Sequence, residues 1–453
     1  MKLLESKIFD GINLLLSFVQ DKLDNLRQNS FLLSNIDYAI LFFIVLTYIT
    51  SLFCETGMIG MVSAVVPFLV VLKVLMNKNE KIELELPNFF LLIYFIICFI
   101  TNFSSSMPVQ SFYGFMKTSI YFAFYFALCQ FLKSNKNHIY ILLVVIAILM
   151  GAESIYALAQ NTFGLENNAT WQDLSYVNPE NVLTRVYGTL KPYNPNLFAG
   201  YLVSGISSIL GVGLILTKAK NYKLGLPYIF LFLVSLLAVF LTGCRGAYIS
   251  LFVIVLGIAL ASYQIVFNDF NNNKIKKVWQ GLMASCSAFF VAFLAFNHSI
   301  LQRLLSIFIL RADSSTSFRM NVYNSSLQMF QDNWLFGIGV GNKVFREIYG
   351  LYMLSGFDAL STYCVFLEIA VESGIFALLA YLFFIGSLIF MAVKSFMNSK
   401  NFDYKVVLFV CTISILAVLF HGLFDTVYFR PQIQYIFWTM CAILVSMLKK
   451  YEN

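Results

Sequence analysis

Residues 36–53 read IDYAILFFIVLTYITSLF, and residues 57–76 read GMIGMVSAVVPFLVVLKVLM. Each run is long enough to cross roughly 30 Å of hydrocarbon as a helix, at about 1.5 Å per residue. The first run carries a single charge, Asp37 near its start, and the second carries only Lys73 near its end. Such runs are typical of membrane-spanning helices.

The same pattern recurs along the whole chain of 453 residues, of which 59% are hydrophobic and 12% charged. It predicts an all-α, polytopic integral membrane protein with about twelve membrane-spanning helices. The predicted spans cover residues 36–53, 57–76, 87–101, 112–132, 138–160, 197–217, 225–242, 245–267, 279–297, 363–392, 404–424 and 431–449.

Four regions follow from these spans. Residues 1–35 repeat apolar positions near helical spacing among charged ones, which predicts an amphipathic helix lying in the cytoplasmic membrane interface. Residues 36–160 form the first five spans, and residues 161–196 form a loop outside the cytoplasm. Residues 197–449 contain the other spans and a second large outer loop, 298–362, which its own apolar patterning predicts to be helical.

The lysines predict the orientation. With the N-terminus inside, the lysine-rich connections are the even-numbered ones: Lys73, Lys78 and Lys81; Lys133 and Lys136; Lys218, Lys220 and Lys223; Lys274, Lys276 and Lys277; Lys394, Lys400 and Lys405. By the positive-inside rule these connections and both termini are cytoplasmic, as in a multi-pass protein of a bacterial inner membrane. This lysine belt accounts for the net charge of +7, so no nucleic-acid partner is expected.

The arginines have the opposite distribution. Only Arg27 lies inside, and the other seven fall in outer segments: Arg185, Arg245, Arg303, Arg311, Arg319, Arg346 and Arg430. The planar guanidinium group binds phosphate or carboxylate oxygens in pairs, which lysine cannot do. The outer arginines therefore predict an anion site.

Several outer features are candidates for this site. Arg319 lies in the first turns of a predicted helix, where an anion shared with the helix terminus offsets an unfavourable charge. Arg245 begins a span between two glycines, and Arg185 precedes an Asn-Pro-Asn cap. Alternative interpretations are lipid-headgroup binding for Arg245 and simple capping for the segment after Arg185.

Two further motifs admit both a structural and a functional interpretation. Gly337, Gly339 and Gly341 lead to Asn342 and form either a tight turn or an amide cradle for phosphate. His421 and Asp425 share one helix face at the outer end of a span, with Arg430 beyond them, and form either a structural or a catalytic cluster.

Metal and disulfide chemistry are not expected. His138 lies on the opposite side of the membrane from His298 and His421, so the chain's three histidines cannot assemble one zinc site. None of the eight cysteines forms a C-x-x-C motif, although a pairing among the outer cysteines Cys54, Cys244 and Cys364 stays open. No cofactor is expected.

Five elements together resemble the O-antigen ligase and polymerase superfamily over roughly residues 150–449. They are Thr242-Gly-Cys-Arg-Gly-Ala247, the helix with Arg319, Trp334-Leu-Phe-Gly-Ile-Gly-Val-Gly-Asn342, Leu367-Glu-x-x-x-Glu-Ser-Gly374 and His421-Gly-Leu-Phe-Asp425. The stretches 313–319, 359–368 and 425–431 look most like the branch labelled as bicarbonate transporters of the IctB type.

The resemblance implies a GT-C-like membrane glycosyltransferase that needs no metal. Such a protein moves a glycan from a polyprenyl (undecaprenyl) diphosphate to a lipid or glycan acceptor. Arg245 and Arg319 would hold the diphosphate, and the residues expected to assist in binding are Arg185, Arg303, Arg311, Gly339, Gly341, Asn342 and Arg430. The alternative function, from the IctB branch, is transport or uptake of bicarbonate or another small anion.

The chain departs from the superfamily pattern at the position of its histidine. Tyr363 stands where the histidine belongs, and Cys364 stands where an asparagine belongs. Tyrosine, with an ordinary pKa of about 10, is a poor base at neutral pH. Besides Arg245, Arg319 and Tyr363, the expected catalytic positions are therefore Glu368, Asp358, His421 and Asp425.

Overall fold

The computed structural model describes residues 2–164, 185–269, 272–296, 314–354 and 358–448. The described chain is helical throughout its regular elements, as predicted. The helices are α1 (Lys2–Asn29), α2 (Phe31–Ser34), α3 (Ile36–Phe53), α4 (Thr56–Met76), α5 (Leu86–Ser104), α6 (Pro108–Ser134), α7 (Asn137–Phe163), α8 (Pro195–Lys218), α9 (Tyr222–Leu241), α10 (Arg245–Gln264), α11 (Asn273–Phe296), α12 (Ser314–Asp332), α13 (Asn342–Tyr349), α14 (Val365–Asn398), α15 (Phe402–His421) and α16 (Pro431–Leu448).

Eleven helices in the described part of the chain are long and apolar enough to span a membrane. They are α3 to α10 and α14 to α16, and each coincides with a predicted span. The predicted span 279–297 corresponds to α11, which is helical but is not among these eleven. The protein is therefore a multi-pass membrane protein with eleven candidate spans in its described residues.

The centre of the bundle is α16, whose residues are all buried. It packs against α6, α15, α3, α14 and α8, whereas only five residues each of α9 and α10 are fully buried. A helix that is apolar on every face is stable only where it is surrounded, either by protein or by lipid. Burial of all of α16 shows that protein surrounds this one.

Helix ends position the functional segments. Asn194 caps α8, because its Oδ1 accepts from the backbone N–H of Asn196 at 2.8 Å and of Leu197 at 3.4 Å, and Pro195 occupies the first turn. The short segment before this cap is anchored to α7, where Gln160 Oε1 accepts from Tyr187 N and Gly188 N. These contacts hold Arg185 beside the end of α9.

One long helix, α14, is broken at its tenth residue. At Gly374 in α14 the backbone has φ 80° and ψ 177°, a conformation open to glycine. The segment 335–341 docks at this break: Ile338 N donates to Val371 O at 2.9 Å, Gly339 N donates to Glu372 O at 3.0 Å, and Ile375 N donates to Trp334 O at 2.8 Å. The loop segment thereby satisfies backbone groups that the broken helix leaves unpaired.

Candidate functional site

A cavity of about 1320 Å³ opens among the helix ends that carry the arginines. We call this end of the bundle the arginine end. The cationic residues in its wall are Lys117, Arg185, Arg245, Arg319, Lys343, Arg346 and Arg430. They come from six separate segments of the chain, so the positive charge is assembled by tertiary folding.

Two of the arginines are joined by a continuous polar network. Arg185 donates from Nε to Thr242 O at 2.7 Å and from a terminal nitrogen to Asn196 Oδ1 at 2.6 Å. Asn196 Nδ2 then donates to Asp425 Oδ2 at 3.0 Å, and the same carboxylate oxygen lies 3.8 Å from an Arg319 terminal nitrogen. The network fixes the separation and direction of the two guanidinium groups before any ligand binds.

Arg319 also contacts a backbone carbonyl oxygen and the face of an aromatic ring. Its Nη1 donates to Phe424 O at 2.7 Å, and its guanidinium carbon lies 5.3 Å from the centre of the Tyr363 ring. Cation–π contact of this kind contributes about 0.5–1 kcal/mol at exposed sites. Arg319 is about a third exposed, so it keeps surface available to a ligand in the cavity.

The Tyr363 backbone is held in a left-handed conformation, with φ 58°. The Thr362 hydroxyl donates to Cys364 O at 2.7 Å and accepts from Cys364 N, and the Tyr323 hydroxyl donates to Tyr363 O at 3.3 Å. A non-glycine residue costs about 1–2 kcal/mol in this conformation, which these contacts offset. The result is a ring aimed into the cavity under Arg319.

The protonation of Tyr363 follows from its surroundings. Burial raises the pKa of the Tyr363 hydroxyl above its ordinary value, against the lowering effect of the nearby Arg319 guanidinium. The side chain is therefore a neutral phenol at physiological pH. It can donate a hydrogen bond or offer its ring face, but it cannot take a proton from an acceptor.

Two buried carboxylates lie on one face of α14. Glu368 and Glu372 are 3% and 8% exposed and both line the cavity. Glu372 Oε1 accepts from Gly341 N at 2.9 Å, whereas Glu368 Oε2 is buried without a hydrogen-bond partner among the described residues. Glu372 thus holds the glycine-rich segment against α14.

The glycine-rich segment 337–341 packs backbone against backbone. A Cβ on Gly337 would lie 2.4 Å from Glu372 C and O, and one on Gly341 would lie 3.0 Å from Gly114 Cα. Its positive φ angles of 71°, 113° and 113° permit this close approach. The amide groups of Ile338, Gly339, Val340 and Gly341 donate to protein acceptors. These four amides are therefore not free to cradle a phosphate.

A thiol and an imidazole meet beside the arginines. Cys244 Sγ lies 3.4 Å from His421 Nε2, and both residues are buried. Burial by itself raises the pKa of the Cys244 thiol, but the neighbouring His421 imidazole outweighs it and brings the pKa below its ordinary value. Cys244 lines the cavity next to Arg245, while His421 lies behind it.

The deeper wall of the cavity is aromatic. Tyr94, Phe122, Tyr381 and Trp438 line it, and Tyr94 lies ten residues, or about 15 Å, from the end of α5. The cavity thus combines a cationic rim with an aromatic interior inside the bundle. Such a lining suits an amphiphilic ligand with an anionic head.

Residues 230–382, which are 153 of the 453 residues, match the model of a family described as O-Antigen ligase. This part of the chain is similar to an O-antigen ligase domain. The superfamily resemblance expected from the motifs is confirmed, and the match does not single out the IctB-type branch. No curated protein matches the chain significantly.

The matched domain supplies only part of the cavity. Arg245, Arg319, Tyr363 and Glu368 lie within the matched residues, and Arg185, Asn196, Asp425 and Arg430 lie outside them. The site is therefore built by the domain together with the helix ends on either side of it in the sequence.

Most of the expected site residues come together in this cavity. Its lining includes Arg185, Arg245, Arg319, Gly341, Asn342, Tyr363, Glu368, Asp425 and Arg430. Gly339 is not in the lining, and its N–H donates to Glu372 O. His421 is not in the lining either, although it touches Cys244, which is. Arg303 and Arg311 lie outside the described residues. Asp358 pairs with Arg346 at the rim.

Sequence reasoning missed the roles of two residues of this cavity. Asn196 was expected only as part of a helix cap, yet it links Arg185 to Asp425. Cys244 was considered only as a possible disulfide partner of Cys54 or Cys364, yet it is a free thiol that lines the cavity with His421 behind it. The pairing could not be found from spacing, because 177 positions separate the two residues.

Proposed function

We propose that this protein is a membrane glycosyltransferase of the ligase or polymerase type. It takes a saccharide from a polyprenyl diphosphate carrier and joins it to a lipid or glycan acceptor at the extracytoplasmic face of a bacterial inner membrane. The family match supports an O-antigen ligase or polymerase type of function in general. The lysine distribution supports the outward orientation of the arginine end.

The observation that carries this proposal is that one cavity combines a cationic rim with an aromatic interior. Asn196 and Asp425 link Arg185 to Arg319 at a fixed separation, and Arg245 lines the same wall. Arginine forks match the paired oxygens of a diphosphate, and fixed cations stabilise the charge that develops on a leaving diphosphate. The aromatic interior provides contact area for a prenyl chain or sugar rings.

Small-anion transport finds less support. The lining contains no described residue from the lysine-bearing end of the bundle, so the cavity is one-sided within the described chain. Glu153, an intramembrane acid that a transport route would use, accepts instead from the backbone N–H and hydroxyl of Thr189 at 3.0 and 2.5 Å. Glu372 likewise bonds to Gly341 N at 2.9 Å. Both acids thus hold the fold together.

The test compares arginine variants in protein reconstituted into lipid nanodiscs. Arg245→Lys and Arg319→Lys each keep the charge but lose the planar fork. Loss of one charge-assisted hydrogen bond costs about 1.5–3 kcal/mol, so undecaprenyl diphosphate should bind at least about tenfold more weakly to each variant. Arg27→Lys is the matched control, because Arg27 lies on α1, pairs with Asp24 and is not in the cavity wall.

Two results would contradict the proposal. One is undiminished binding of undecaprenyl diphosphate by both variants, and the other is a wild-type protein that does not bind this lipid at all. Protein-dependent accumulation of labelled bicarbonate in sealed vesicles would favour the transport alternative.

A further inference from the structure

The cavity wall contains a cysteine–histidine pair assembled from two helix ends. Cys244 is the N-cap of α10, and His421 is the last residue of α15. Their side chains are 4% and 2% exposed, and Sγ and Nε2 lie 3.4 Å apart. Neighbouring nucleophile and base side chains within hydrogen-bond reach are the usual sign of an activated thiol.

Charged groups from several elements surround this pair. Asp425 follows His421 by one turn, Arg245 follows Cys244 directly, and Arg319 of α12 bonds to the Phe424 carbonyl next to Asp425. Arg185 approaches from the other side, since its Nε would lie 3.2 Å from a Cβ on Gly243. The positive end of the α10 dipole adds to the field at Cys244. Most of these groups favour a thiolate, and Asp425 opposes it while favouring a charged imidazole.

The geometry decides which member of the pair meets a ligand. Cys244 lines the cavity together with Arg245 and Arg319, whereas His421 is behind the cysteine. The sulfur is therefore the atom presented to a bound acceptor, and the imidazole acts on it from within the protein.

Tyr363 cannot supply the proton acceptor that transfer requires. It occupies the position of the superfamily's histidine, but burial keeps its hydroxyl protonated at neutral pH. A thiol whose pKa lies below its ordinary value is better matched to this task near neutral pH.

We propose that Cys244, charged as a thiolate by His421, accepts the proton of the acceptor hydroxyl during glycan transfer. The proposal rests on the proposed function and adds to it the group that performs the proton transfer. As the acceptor oxygen bonds to the anomeric carbon of the donor sugar, its proton passes to Cys244 Sγ. The bond between the anomeric carbon and the diphosphate oxygen breaks, and its electron pair leaves with the diphosphate. Cys244 later returns the proton to water.

The first experiment measures the thiol itself and needs no glycan. Protein in nanodiscs is alkylated with iodoacetamide across a range of pH, and the rate at each cysteine is followed by peptide-resolved mass spectrometry. Cys364 is the matched reference, because it is also a helix N-cap but lies outside the cavity lining. The Cys244 midpoint should lie below the ordinary thiol pKa of about 8.5, and His421→Gln should raise it while leaving Cys364 unchanged. Equal alkylation midpoints for Cys244 and Cys364 would refute the activation of Cys244 by His421. An unchanged Cys244 midpoint in a folded His421→Gln variant would refute it as well.

The second experiment measures transfer and binding together. Cys244→Ser preserves the shape of the side chain, but the serine hydroxyl stays protonated near neutral pH and cannot accept a proton. Turnover should therefore fall by about 100-fold or more. Its affinity for undecaprenyl diphosphate should stay at the wild-type value, and Cys286→Ser, at an exposed cysteine outside the cavity lining, should keep wild-type turnover. Unchanged turnover of Cys244→Ser with intact diphosphate binding would overturn the inference, as would a saccharide bound covalently to Cys244. A wild-type protein that binds no diphosphate would instead remove the proposed function, and the catalytic role of Cys244 with it.

Discussion

Replacement of Gly374 by alanine tests the structural basis of the cavity. Gly374 breaks α14 where segment 335–341 docks. The carbonyl oxygens of Val371 and Glu372, just before the break, accept hydrogen bonds from that segment. A Cβ at this position would lie 2.2 Å from Leu335 O and 2.6 Å from Leu335 C. These are backbone atoms, so no flexible side chain can move aside to relieve the overlap.

The size of the effect can be worked from the geometry. The backbone conformation at φ 80° and ψ 177° costs a residue other than glycine about 1–3 kcal/mol. Displacing Leu335 weakens the bonds from Ile375 N to Trp334 O and from Ile338 N to Val371 O, at about 1 kcal/mol each. Gly374→Ala should therefore lower the free energy of unfolding by about 3–5 kcal/mol.

The assay is unfolding of the purified protein in mixed micelles by titration with sodium dodecyl sulfate, followed by circular dichroism. Gly386→Ala on the same helix is the matched control, because a Cβ there has no atom within 4 Å. Alanine in a helix interior is about 0.5–1 kcal/mol more favourable than glycine, so the control should be as stable as the wild type or more so. Equal stability of the two variants would refute the docking described at the break.

Two further predictions concern the polar network. Tyr363→Phe keeps the ring under Arg319 and should retain most diphosphate affinity, whereas Tyr363→Ala removes the ring and should weaken binding measured in nanodiscs. Because burial raises the pKa of the Tyr363 hydroxyl, the pH profile of turnover below about pH 10 should be the same for Tyr363→Phe and wild type. Asn196→Ala removes the link between Arg185 and Asp425. The free energy of unfolding should fall by about 1.5–3 kcal/mol for each lost charged hydrogen bond. A variant as stable as the wild type would show that this link does not hold the arginines in place.

The positions of the membrane helices were predictable because the signal for them is local. A run such as 36–53 is apolar over its full length whatever surrounds it, and α3 begins and ends at the predicted residues. Helix caps such as Asn194 before Pro195 are also local, and the structure has α8 beginning there. Burial was not predictable from apolar composition, since α9 is the more apolar of the two helices but only α16 is enclosed.

The glycine-rich segment shows where local reasoning stopped. Its glycines predicted either a turn or a phosphate cradle, and spacing could not choose between them. The structure shows that Gly337 packs against Glu372 at the break of α14, some 35 residues later in the chain, and that the Ile338 and Gly339 amides donate to α14 carbonyl oxygens there. Hydrogen-bond acceptors that come from a distant part of the chain cannot be inferred from the spacing of glycines within the segment.

The sequence alone determined that the chain is a membrane bundle with its arginines gathered at one end, because hydropathy and charge act residue by residue. Only the tertiary structure decided how those arginines are used. It joined Arg185 to Arg319 through Asn196 and Asp425, and it brought the Cys244 thiol to the His421 imidazole. Hydrogen bonds and proton affinities depend on distances of a few ångströms between residues far apart in the chain, and those distances exist only after the helices have packed.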